Sequence, residues 1–129
     1  MSRTVLLVDD DRESVEALVV YLQYHRLQAI TAQDGEQALS LLRGGLTPGV
    51  IVLDLMMPGT DGFAFRSAQL AEPQLAEIPV IVCSAAYDAS GAAARLRAAA
   101  FVQKPVEPQT LLRLIQQCCG EGTGSDSQQ

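Results

Sequence analysis

Short apolar runs alternate along the chain with segments in which apolar residues recur at helical spacing, and no long-range repeat interrupts the pattern. Thr4–Val8 (TVLLV) has the near-continuous apolar character of a strand buried on both faces. Val15, Leu18, Val19 and Leu22 follow at i, i+3, i+4 and i+7, with Asp11 placed to cap the helix they predict. Gln28–Ala32 predicts a less apolar strand nearer an edge. Asp34 caps a second helix carrying Ala38, Leu39, Leu41 and Leu42, which Gly44-Gly45 ends. Val50–Leu53 predicts the third strand and Phe63–Leu70 the next helix. Pro73 and Pro79 bracket a loop that delivers the chain into a fourth strand, Val80–Ser84. An Ala/Arg-rich helix is expected around Ala92–Ala99, then a short strand at Phe101–Gln103. The last helix has Pro108 near its first turn and Leu111, Leu114, Ile115 and Cys118 as its apolar stripe.

Five strand–helix units joined by right-handed crossovers make an α/β domain, a five-stranded parallel sheet with helices on both faces. The 129 residues fit one such domain, residues 1–119, and the small polar run 120–129 (GEGTGSDSQQ) reads as a disordered tail. Ligands of open parallel sheets bind beyond the carboxyl ends of the strands, so functional residues are expected there.

Composition narrows the classes. Apolar content of 48% supplies one core, and no apolar run approaches the ~18 residues of a membrane span. Met-Ser-Arg-Thr enters the first strand directly, without a leader pattern, and a cytoplasmic location is expected. A net charge of −6 argues against a nucleic-acid surface. Cys83, Cys118 and Cys119 lack metal-ligand spacing and are expected as free thiols. Eight of the nine basic residues are arginine, and Lys104 is the lone lysine.

That lysine closes the fifth strand. Asp9 and Asp10 close the first, Asp54 the third and Ser84 the fourth, so three acids, a hydroxyl and an ammonium converge on one edge. Clustered carboxylates repel unless a cation neutralises them. Oxygen-only donors favour a hard divalent ion, best Mg²⁺, over zinc. The ammonium and the hydroxyl suit phosphate oxygens, so the edge reads as a site that holds a phosphoryl group on an acid.

The stretches LLVDDD, VIVLDLMMPGTDGF, SA at 84–85 and KP at 104–105 resemble, in this order, a response-regulator receiver domain of two-component signalling over about residues 3–119. The resemblance implies a (βα)5 flavodoxin-like doubly wound fold and Asp54 as phosphoacceptor. It implies Mg²⁺ bound by Asp9, Asp10, Asp54 and the backbone carbonyl of Met56. Ser84 and Lys104 would contact the phosphoryl group, Pro105 would follow a cis bond, and Ser84 with Phe101 would form the switch. The implied donor is a phosphohistidine on a sensor histidine kinase or histidine phosphotransfer protein, with a further protein downstream. Catalysis would be limited to the domain's own phosphorylation and slow dephosphorylation.

Departures from the pattern are local. The interval from Ser84 to Lys104 is 20 residues, shorter than usual, and Arg97 stands seven before the lysine, where glycine is common. The fourth helix is Ala-rich and contains Gly91. His25 reads as a surface residue, Tyr87 as a neighbour of the groove, and Arg95 and Arg97 as a solvated helix face. A receiver-fold interaction module without phosphate chemistry is the alternative function. A haloacid-dehalogenase-type phosphatase would want an acid where Met56 stands, and the groove acids would repel a flavin phosphate.

Overall fold

The computed structural model describes residues 3–55, 62–84 and 97–119. Strands β1 (Thr4–Val8), β2 (Gln28–Ala32), β3 (Val50–Asp54), β4 (Val80–Ser84) and β5 (Ala100–Gln103) form one sheet in the order β2-β1-β3-β4-β5. All its pairings are parallel. Helices α1 (Arg12–Tyr24), α2 (Gly35–Arg43), α3 (Gly62–Ala71), α4 (Pro73–Ala76) and α5 (Pro108–Cys119) are the helices of the described residues. None is long and apolar enough to cross a membrane.

Alternation along the strands feeds two cores. Val5, Leu7, Val50, Val52, Ile81 and Cys83 pack on one face with Val15 and Leu22 of α1 and Leu111 and Ile115 of α5. Leu6, Val8, Ile51, Leu53, Val80 and Val82 pack on the other with Ala38, Leu39 and Leu42 of α2 and Phe65 of α3. Both faces are covered, which is why β1 and β3 read as unbroken apolar runs. The helix caps stand as expected: Asp11 accepts from Ser14 N and Asp34 from Gln37 N.

Three local expectations are corrected. Pro73 opens the short helix α4 instead of a loop, since a proline at the first helical turn loses no hydrogen bond. Arg97–Ala99 is not helical: Arg97 has φ 54°, and Ala99 N already donates to the Val80 carbonyl at 2.8 Å. On α5 the buried stripe is Leu111, Leu112, Ile115 and Cys119, with Leu114 and Cys118 only half-buried. Residues 92–96 of the expected fourth helix and the polar run 120–129 lie outside the described residues.

Gly62, at the start of α3, lies against the end of β3. A Cβ there would fall 2.8 Å from Leu55 Cα and 3.1 Å from the Asp54 carbonyl oxygen, both backbone atoms that cannot swing aside. Gly62→Ala is therefore expected to destabilise the fold by ~1–3 kcal/mol, as overpacking does, measured by urea unfolding.

Candidate functional site at the carboxyl edge

Register sets the height of each site residue. Val8 is level with Leu53, Asp54 with Cys83, and Ser84 with Gln103, so Asp9, Asp54, Ser84 and Lys104 emerge at neighbouring levels of one rim. Backbone bonds extend the strands past their last rungs: Asp9 N donates to the Ala32 carbonyl at 3.0 Å and Lys104 N to the Ser84 carbonyl at 2.9 Å. The Lys104–Pro105 peptide is cis.

The side chains meet. The Lys104 ammonium lies 3.2 Å from Asp54 Oδ2 and 3.6 Å from Asp9 Oδ2. Asp54 is only 4% exposed, whereas Asp10 is open to solvent. Asp9 Oδ1 accepts from Asp11 N at 2.9 Å, which shapes the turn into α1. Asp11 serves the helix cap, its pKa lowered by hydrogen bonds from Ser14.

Burial pushes the Asp9 pKa up; the Asp11 amide and Lys104 oppose that shift, and neighbouring Asp54 adds to it. For Lys104, burial pulls the ammonium down, but Asp54 and Asp9 outweigh it and its pKa stands above the ordinary lysine value. Burial drives the Cys83 thiol up to about 12, which disfavours its thiolate at neutral pH.

One oxygen from each of Asp9, Asp10 and Asp54 lies within 4.8 Å of the others, a set that could hold a metal ion. Opposite ligands of Mg²⁺ are separated by ~4.2 Å, a spacing of the same order as that of these oxygens. Three acids against one ammonium also leave the charge that a divalent cation would offset.

The acids open on a groove of about 610 Å³ between α1 and the chain after β5. Val15 and Leu18 line it from α1 and Pro105 and Val106 from the chain after β5, with Asp54 and Lys104 also in its lining. A groove at the rim is expected from the sequence, but its walls are not, because they come from segments some ninety residues apart. Ser84 is fully buried and Phe101 half-buried among the apolar residues on the α2–α3 side. Met56, Tyr87, Gly91 and Arg95 lie outside the described residues. His25 stacks on Tyr21 and Tyr24 at the end of α1, away from the rim.

A doubly wound parallel sheet with acids and a lysine at its carboxyl rim is the architecture of receiver domains. The response regulator receiver domain family matches residues 5–116, and the chain belongs to it. It is 35% identical over 118 residues to response regulator GtcR of Aneurinibacillus migulanus, covering 90% of this chain and 47% of GtcR. Protein PilH of Pseudomonas aeruginosa is 29% identical over 113 residues, covering 86% of this chain and 93% of PilH. The chain thus spans about half the length of GtcR but nearly all of PilH. Among solved structures, chemotaxis protein CheY4 of Vibrio cholerae superposes with a TM-score of 0.82 at 27% identity, covering 92% of this chain and 99% of CheY4.

The raised Asp9 pKa has a consequence for stability. The folded state holds that proton more tightly than the unfolded chain, so stability is fully present below the ordinary carboxylate range and falls as pH rises through the raised pKa. Without divalent metal, Asp9→Asn is expected to be more stable than wild type at pH 7. That advantage should vanish below about pH 4, as urea unfolding at the two pH values will read.

Proposed function

We propose that Asp54 is the phosphoryl acceptor of a Mg²⁺-dependent signalling switch. The observation that carries this reading is the shared Lys104 ammonium, in contact with both Asp54 and Asp9 in the lining of one groove. An Asp54 carboxylate oxygen attacks the phosphorus of a phosphohistidine. The O–P bond forms as the P–N bond breaks, and the departing imidazole takes up a proton. Lys104 faces the charge that accumulates on the phosphoryl oxygens, and burial of Asp54 holds the nucleophile in line. Asp9, Asp10 and Asp54 would hold Mg²⁺, together with the Met56 carbonyl by resemblance. When bound, the ion offsets the carboxylates' charge and polarises the phosphoryl oxygens.

The donor would be a sensor histidine kinase or a histidine phosphotransfer protein whose imidazole enters between Leu18 and Val106. The phosphoryl group brings about −1.5 to −2 charges beside Ser84 while the Asp54 carboxylate gives up its own, a net gain of about −0.5 to −1. Ser84 turns its hydroxyl to the phosphoryl group, and Phe101 repacks into the space this leaves. The altered surface is what a downstream protein reads. Phe101 has no hydroxyl, so its movement depends on packing alone.

Incubation with a small acyl phosphate and Mg²⁺ should phosphorylate wild type and leave Asp54→Ala unlabelled, by intact mass. Lys104→Ala should slow labelling by about 10²-fold, the loss typical of one oxyanion donor. Equal labelling of Asp54→Ala would overturn the assignment. Absence of any labelling, with no spectral response to a beryllofluoride phosphate mimic, would favour the interaction module.

A further inference from the structure

Arg97 occupies the left-handed region at φ 54°, which residues with a side chain rarely adopt. Its carbonyl accepts a hydrogen bond from Arg66 Nη2 at 2.9 Å, and Arg66 Nη1 donates to Gln69 Oε1 at 2.7 Å. Gln69, fully buried, donates through Nε2 to the Leu75 carbonyl at 2.8 Å and the Ile78 carbonyl at 3.1 Å. A continuous polar chain therefore joins α3, the connection from α4 to β4, and the lead-in to β5.

Arg66 is itself buried, 5% exposed, so these bonds are shielded from competing water. Meanwhile β5 is an edge strand, with a backbone ladder to β4 on one side only. Its entry is fixed by that ladder, beginning with Ala99 N on the Val80 carbonyl, and by the grip on Arg97 two residues earlier. Phe101 lies on this strand, and Lys104 directly follows it.

We propose that Arg66, oriented by Gln69, is a positioning residue that clamps the Arg97 carbonyl, fixes the entry of β5 and thereby sets Lys104 against Asp54. Glycine would take the left-handed turn without help; an arginine there has to be held. The planar guanidinium fork serves Gln69 and the Arg97 carbonyl together, which the single ammonium of a lysine cannot do in the same geometry. The clamp stands on geometry alone, while its consequence for phosphoryl transfer rests on Asp54 being the acceptor.

Because Lys104 is the lone lysine, labelling with [α-¹⁵N]lysine lights one backbone amide, which donates to the Ser84 carbonyl at 2.9 Å. Wild type should give one sharp amide peak. In Arg66→Met that peak should shift, split or broaden while circular dichroism shows a folded protein. Labelling by a small acyl phosphate should slow roughly tenfold, the scale of a sub-ångström misplacement. In Arg66→Met/Arg97→Gly the peak and the rate should return toward wild type, because glycine adopts the turn unaided. An unmoved peak in Arg66→Met, or no recovery with glycine, would overturn the clamp. Should Arg66→Met fail to fold, Arg66→Lys keeps the charge without the fork and is read on the same peak with the same two outcomes. If wild type itself takes no phosphoryl group, the proposed function falls, and the amide peak still decides the clamp.

Discussion

The site depends on an ammonium shared between two carboxylates that the sheet brings to one level. Sinking a carboxylate into a protein costs several kcal/mol unless opposite charge and hydrogen bonds compensate. Asp54, almost fully buried, meets that requirement through Lys104, which also reaches Asp9. The compensation is partial, since Asp10 brings a third negative charge to the rim. The arrangement is thus stable enough to fold and still short of positive charge, which is the state in which a cation and a phosphoryl group are both welcome.

Rigidity supports that balance from beneath. β3 has core on both faces, strands on both edges, and the start of α3 pressed against its last carbonyl at Gly62. Asp54 stands at the end of this wedge. β5 lacks a second neighbouring strand, so Lys104 is carried by the less constrained member of the pair. Asp54 is therefore anchored while its counter-ion depends on an edge strand.

Much of this was legible in the sequence because it rests on period and order. Uninterrupted apolar runs marked β1, β3 and β4, and the polar residue ending each marked the rim, so Asp9, Asp54, Ser84 and Lys104 were placed before any coordinates. What escaped detection was non-local. Arg66 and Gln69 are polar residues at helical spacing and resemble a solvated face. Only the connection to β4 folding over them gives the amide its carbonyl partners and puts both indoors. Arg97 stood out by replacing a common glycine, and its positive φ supplies the reason that position favours glycine. Pro73 was read as punctuation where it begins a turn of helix, and the phase of α5 slipped by one residue between Cys118 and Cys119.

Cys83 sits in the wall of the groove, one strand over from the acceptor. With its pKa near 12, the fraction present as thiolate at neutral pH is vanishingly small, and peroxides and disulfides react with the thiolate. The buried strand, and to a smaller degree the negative rim, therefore disfavour the thiolate of this sulfur. A cysteine can thus line the cleft and stay a weak nucleophile.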